Sequence, residues 1–257
     1  MTSLLVGGTG FVGTTLQRQT SFDAAVNSTT VGEIDGGRYT LVVCAAAPAQ
    51  KWIANKDPDA DRARIEGLIA HLGSIKADRF VLISTVDVFR DPRGVDEESD
   101  VPEEGLHAYG LHRRLLERFV EETFSNRLIV RLPGLVGPGL RKNVVFDLLN
   151  HNSLDAVDSR AIFQFYPMVN LWYDVGAALD AGLELIHLTA EPVSVADVAA
   201  YGFGLEFSNT LDRTPPVYDM RTRHATVAGR VGDYQYSARD TIQAVRTYAQ
   251  AEPHSAG

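Results

Sequence analysis

Cysteine is almost absent from this chain: its 257 residues include one, Cys44. A single thiol cannot close an intrachain disulfide. That excludes a disulfide scaffold, and a reducing, cytoplasmic setting is expected. Long apolar runs are missing too. The longest, residues 41–47 and 80–83, fall far short of the roughly 20 residues that span a bilayer. The start of the sequence lacks a basic stretch followed by an apolar segment and a cleavage site, so no secretory signal is read there and no membrane partner is expected. Positive charge is in deficit, since 24 Lys and Arg face 33 Asp and Glu for a net charge of −9. This balance argues against a general nucleic-acid binder, whose affinity rests on neutralising phosphates. The seven histidines show no metal-ligand spacing, and no metal is expected.

What the chain does have is an ordinary globular composition, 45% hydrophobic and 22% charged. Its length suits one α/β domain with a small appended lobe. Short apolar runs alternate with amphipathic stretches. Strands are expected at residues 3–6, 24–28, 40–46, 79–84 and 128–132, a helix after the Gly-rich sequence ending at about 19, and helices at 59–75 and 109–124. Strands apolar on both faces, alternating with helices, predict a doubly wound parallel sheet covered on both sides, a Rossmann arrangement. Beyond Pro133 the rhythm breaks. There the sequence predicts a short helix at 143–150, a strand at 161–166, a helix at 171–186 and a helix opened by Ser194. Residues 214–236 read mainly as loop, and a last helix covers 240–249. The expected division is a Rossmann domain of residues 1–136 plus about 161–187, and a small α/β substrate lobe of residues 137–160 plus about 188–257.

Gly7, Gly10 and Gly13 directly follow the first strand and open the first helix. In that context one glycine permits a tight turn, one lets backbone approach a pyrophosphate, and one allows close helix-to-strand contact. Thr9, Phe11 and Val12 share the loop. The acidic residue usual about 20 positions on is absent; Asn27 and Ser28 occupy that region, with no Arg beside them. The stretch from the second strand to the next strong one is too short for a full helix-strand-helix, so the adenosine side of the site is abbreviated and NAD or NADP is left open.

Three further segments complete a pattern: Ser84-Thr85-Val86-Asp87 after a strand, Tyr109-Gly110-Leu111-His112-Arg113 opening a helix, and Arg131 to Gly139 ending the next strand. Together with the glycine loop they resemble the extended short-chain dehydrogenase/reductase superfamily, in its NAD-dependent epimerase/dehydratase branch. The short second half is like that of the dehydrorhamnose reductases. The resemblance implies a cofactor, NAD or NADP, held by the glycine loop, Asn27, Ser28, Ala45, Ala46, Pro133, Tyr109 and Arg113. It implies catalysis by Thr85, which hydrogen-bonds the reacting oxygen, and Tyr109, the acid/base. Arg113 stands where that family has Lys. A neighbouring cation favours tyrosinate over a phenol of pKa ~10. Arg supplies that charge permanently but does not readily relay a proton. Val86 and Asp87 replace an Asp-Glu pair of the dehydratases, which argues against standard dehydration. Asp87 is either a second acid/base or a turn-forming residue.

The expected activity is therefore an oxidoreductase or epimerase acting on a nucleotide-linked or phosphorylated sugar. The alternative is a catalytically silent NAD(P)-binding sensor or assembly subunit, suggested by Arg113. Arg141, Lys142, Arg221 and Arg223 are candidates to bind substrate phosphate, with Asn143 as a capping amide. Cys44 is expected to be an inert core thiol. Trp52 is expected in the core, with the cofactor mouth as its alternative place. The helices at 59–75 and 109–124 are those through which extended members of that family dimerise, so a homodimer is an expected partner state.

Overall fold

In a computed structural model, residues 2–252 are described. They divide into two compact units. The first takes the chain up to Arg90, then Ser99–Arg131 and Val175–Ile186; the second takes Asp91–Glu98, Leu132–Asp174 and the chain from His187 onward.

The first unit is built on six parallel strands: β1 (Ser3–Val6), β2 (Ala24–Val26), β3 (Leu41–Cys44), β4 (Phe80–Thr85), β5 (Arg127–Leu132) and β6 (Leu185–His187), in the order β6-β5-β4-β3-β1-β2. The register places Leu4 beside Val42 and Val42 beside Phe80 on one face, and Leu5, Val43 and Val81 on the other. All six side chains are fully buried. Successive strand residues point to opposite faces, so strands apolar at every position need cover on both sides. Helix α1 (Phe11–Gln19) follows β1, a short α2 (Lys51–Lys56) follows β3, and α3 (Pro58–Ser74) and α4 (Ala108–Thr123) precede β4 and β5. Ile65, Leu68 and Leu72 of α3 and Leu116 and Val120 of α4 join Leu4, Val42 and Phe80 in one core cluster. Helix α3 starts where expected for a physical reason: Asp57 caps Ala60 N–H and Pro58 sits in the first turn. Between β2 and β3 a single turn, Val31–Ile34, stands in place of a helix.

The second unit departs from the expected boundaries. Residues 134–136 and 161–174, expected in the Rossmann domain, lie in it, and only Val175–Ile186 returns to the first unit. The reason is pairing: Phe165–Pro167 runs parallel to Gly134–Val136 in a sheet of their own. The expected strand at 161–166 is two short strands, Ile162–Phe163 and Phe165–Pro167. The expected helix at 171–186 ends at Asp180, where Gly182, at φ +69°, turns the chain into β6. The helix opened by Ser194 is short, Val195–Asp197, and continues in wide turns over Val198–Phe203. Gln164, fully buried, staples this unit: its amide donates to Thr189 Oγ1, Ala190 O and Met220 O and accepts from Met220 N–H. Such a network replaces lost hydration of every polar atom it buries. Among the described residues no helix is long and apolar enough to cross a membrane, and no group of three metal-ligating side chains occurs.

Candidate active site

The glycine loop is shaped by two close approaches. Gly7 has φ +97°, and a Cβ there would stand 2.6 Å from the backbone carbonyl of Ala45. A Cβ on Gly13 would stand 2.1 Å from Gly7 O, so only glycine lets α1 seat against the end of β1. Gly10 differs: its nearest neighbour would be Gly7 O at 3.6 Å, an ordinary contact, and the residue is exposed. That is the open side of the turn. Gly7 and Gly8 N–H both donate to Val26 O, at 2.8 and 3.0 Å, and Gln17 Nε2 donates to Gly8 O at 2.6 Å. Gly10 brings no side chain to cap α1. The first-turn N–H groups of Phe11 and Val12 therefore point, with the helix dipole, at the open side. Ala45 and Ala46 form the wall behind Gly7.

At the end of β2, Asn27 Oδ1 accepts from Thr29 N–H at 2.8 Å and Thr29 Oγ1 at 2.7 Å. Asn27 is thus occupied in a local turn, while Ser28 is exposed. Pro133, just after β5, is buried in the second unit.

The carboxyl end of β4 presents Thr85. Its Oγ1 accepts from Asp87 N–H at 3.2 Å, and it lies near enough to the Tyr109 side chain to favour its ionised form. Ser84 points the other way, into the core, and donates to Glu117 Oε1 at 2.6 Å; Arg131 closes on the same carboxylate through two nitrogens. Tyr109 lies in the first turn of α4 and is buried. Helix α4 reaches β4 because Gly110 has no side chain: a Cβ would stand 2.1 Å from Asp87 O. His107 Nδ1 caps the helix by accepting from Gly110 N–H at 3.0 Å.

Arg113 is the residue whose setting the sequence did not reveal. It is 3% exposed. Its guanidinium stacks over the Tyr109 ring, 4.0 Å from the centroid. It donates to Asp61 Oδ2, to Pro48 O and, at 3.3 Å, to Tyr109 O. Among the described residues its Nε has no acceptor. Asp61, 2% exposed, also bonds His112 Nδ1 at 2.7 Å. Burial pushes the Asp61 carboxyl up, but hydrogen bonds from Arg113 and His112 outweigh it and hold it below the usual carboxylate range. One carboxylate of α3 thereby ties two residues of α4 and, through Arg113, the loop after β3. No local pattern could have disclosed this, because the partners lie 52 residues apart.

Tyr109 titrates higher than an ordinary tyrosine. Burial raises it; Arg113, Thr85 and Lys51 pull it down, and Asp87 pushes it up. The expected lowering by Arg113 is present but does not prevail in the ligand-free protein. Two further residues frame Tyr109 from α2: Asn55 Oδ1 accepts Tyr109 N–H at 3.0 Å, and Lys51 Nζ bonds Asp87 Oδ1 at 2.7 Å.

The remaining predicted site residues lie in the second unit. Arg221 is paired with Asp219 at 2.9 Å and Asp233 at 3.6 Å, and Arg223 with Glu98 at 3.1 Å and Asp96 at 3.5 Å. Arg141 and Lys142 are exposed. Asn143 caps the helix Val144–Asn150 as expected, at φ 97°, accepting from Val145 N–H and donating to Leu135 O. Trp52 is not in the core: it is 69% exposed on α2. Cys44 is buried, and burial pushes its thiol up to about 11, which leaves it protonated and inert.

No family model matches the chain, and no curated protein matches it. Solved structures do. A dTDP-4-dehydrorhamnose reductase of Clostridium acetobutylicum is 20% identical, with 97% of this chain and 99% of that one covered at a TM-score of 0.66. The corresponding reductase of Bacillus anthracis, in complex with NADP, is 16% identical over 97% and 99%, at 0.70. The Bordetella bronchiseptica enzyme WbmG, in complex with NAD, is 15% identical over 97% and 94%, at 0.74. The chain has the Rossmann-like α/β fold of these proteins over nearly its whole length.

Proposed function

We infer that the chain is an NAD- or NADP-dependent oxidoreductase or epimerase of the extended short-chain dehydrogenase/reductase family, acting on a nucleotide-linked or phosphorylated sugar. The observation that carries this reading is the close seating of α4 on the residues that end β4, Gly110 against Asp87, which brings Tyr109 to the side of Thr85, at the same carboxyl ends of the parallel strands as the glycine loop ending β1. The loop fits a dinucleotide. Its open side is Gly10, where no side chain intrudes, and the first-turn N–H groups of α1 suit a pyrophosphate. A bound nicotinamide would supply a carbon able to take or give hydride.

The chain's own residues then divide the work. Thr85 fixes the reacting oxygen by a hydrogen bond, and Tyr109 gives or takes the proton there. Arg113 lowers the cost of the phenolate by its fixed charge over the ring. Its two terminal nitrogens are committed to Asp61, Pro48 O and Tyr109 O, so a contact with a ribose hydroxyl falls to Nε. Asp87 stands two residues from Thr85 as a further carboxylate at the same end of β4. Of the basic candidates for substrate phosphate, Arg221 and Arg223 must first leave carboxylates.

A second reading, a silent NAD(P)-binding sensor or assembly subunit, draws support from the raised Tyr109 and the structural commitment of Arg113. Turnover on a panel of sugar nucleotides separates the two. Catalysis predicts that Tyr109→Phe lowers the rate about 10²- to 10⁴-fold while nucleotide binding persists. Full activity in Tyr109→Phe, or bound nucleotide without turnover, rejects the catalytic reading.

A further inference from the structure

Arg113 leaves one task undone. It carries charge, but it is buried and does not give up its proton, so it cannot restore a proton to a tyrosine that has just donated one. A second cation lies close by, one turn of α2 before Asn55, which holds the Tyr109 N–H. Lys51 lies in the first turn of α2 and is 38% exposed by its side chain. Its ammonium sits on Asp87 at 2.7 Å, and Asp87 is bonded through its N–H to Thr85 Oγ1. The same short helix holds Tyr109 itself, through Asn55 and the Tyr109 N–H. The approach of α4 to Asp87 is fixed by Gly110.

We propose that Lys51, seated on Asp87, is the proton-exchanging cation of this site, so that two residues share what a single lysine on α4 would do: Arg113 supplies fixed charge and Lys51 supplies the mobile proton. The inference rests on the reading of Tyr109 as acid/base. In the reductive direction the Tyr109 O–H bond breaks and its proton forms an O–H bond on the substrate oxygen. The phenolate is then reprotonated by the Lys51–Asp87 pair, with a Lys51 N–H bond broken and the Tyr109 O–H bond remade. The neutral amine takes a proton from solvent, which its half-exposed position permits and which Arg113, buried, lacks. The oxidative direction reverses each transfer. Lys51 acts through Tyr109 and is a positioning residue in this scheme. The charged and titratable groups that face Tyr109 are Arg113 on its own helix, Asp87 after β4, Lys51 on α2 and His107 before α4. Their presence supports the assignment: Lys51 acts to lower both Tyr109 and His107.

The test begins with ligand-free protein, so that it does not depend on finding the substrate. Tyrosinate absorbance is titrated in wild type, Lys51→Ala and Lys51→Arg, each minus its Tyr109→Phe counterpart to isolate Tyr109. Lys51→Ala is expected to shift Tyr109 upward and Lys51→Arg to leave it in place. An unmoved Tyr109 in Lys51→Ala overturns the proposal even if the protein proves to be an enzyme. Where wild type turns over a sugar nucleotide, both variants are expected to lose at least tenfold in rate. Added methylamine is expected to restore Lys51→Ala but not Lys51→Arg, an effect that mere structural damage would not show. Full turnover in Lys51→Arg also overturns it. Failure of wild type to bind NAD or NADP defeats the functional reading and leaves the titration to decide the coupling.

Discussion

Removing the Asp61 carboxylate tests the central claim about Arg113, that it is fixed in place before any ligand arrives. Asp61 is 2% exposed and bonds two buried side chains of α4, Arg113 and His112. In Asp61→Ala the guanidinium stays buried, still bonded to Pro48 O and Tyr109 O, but without a counter-charge. Breaking a buried pair on one side costs about 3–5 kcal/mol. In a protein of this size each kcal/mol moves the melting temperature by about 2–4 °C, so a fall of roughly 6–20 °C is expected. Combining Asp61→Ala with Arg113→Met removes the orphaned charge as well, and the double variant should recover part of the loss, since an apolar replacement of a buried pair is often nearly neutral. Thermal unfolding near neutral pH measures all three proteins. The same pair should give acid sensitivity. The folded-state pKa of Asp61 lies below its unfolded value, so its stabilisation is full above about pH 4 and is lost as pH falls through the folded pKa. A fall of less than about 1 kcal/mol in Asp61→Ala, or a double variant less stable than the single one, would refute the reasoning.

Two further predictions concern the glycine loop and the second unit. Gly10→Ala should leave the melting temperature nearly unchanged, because its Cβ meets only Gly7 O at 3.6 Å, yet weaken NAD(P) binding at least tenfold; Gly13→Ala, whose Cβ would stand 2.1 Å from Gly7 O, should lose stability by about 1–3 kcal/mol. Equal thermal effects of the two, read by thermal shift with and without nucleotide, would remove the distinction between a ligand-facing and a packing glycine. Asp174 is buried, with Oδ2 accepting from Tyr166 and Tyr236 and Oδ1 without a partner; burial holds its carboxyl above the ordinary range despite those bonds. The folded state therefore keeps that proton longer, and its contribution to stability falls as pH rises from about 4 through the folded pKa. Asp174→Asn should gain on wild type as pH rises from about 4 in melting experiments, and a widening deficit would contradict this sign.

Five of the six strands were legible because their centres are apolar and each meets a glycine, a proline or an amphipathic run. Ser3–Val6 was read with its observed bounds, and α3 and α4 within a residue at each end. Thr85, Tyr109 and Gly7 were legible for a related reason: each sits at a strand end or helix start, where local sequence dictates position. What escaped was set by long-range contact. Asp61, Asn55 and Lys51 carry no pattern, and only the docking of α2 and α3 against α4 and the loop after β4 gives them partners. Trp52 was misplaced because size and apolarity suggested burial, whereas α2 is only six residues long and turns its inward side to Ala54. The break near residue 180 was missed because apolar residues continue across Gly182 from helix into strand.

The glycine loop ends with little freedom left. Its first two amides are held by Val26 O, the carbonyl of Gly8 by Gln17, and the carbonyl of Gly7 lies hard against Gly13. A loop already fixed in the bound shape loses little conformational entropy when an anion arrives. Affinity at this end of the site then comes from preorganisation, and loosening Gln17 would weaken binding without touching any atom that meets the ligand.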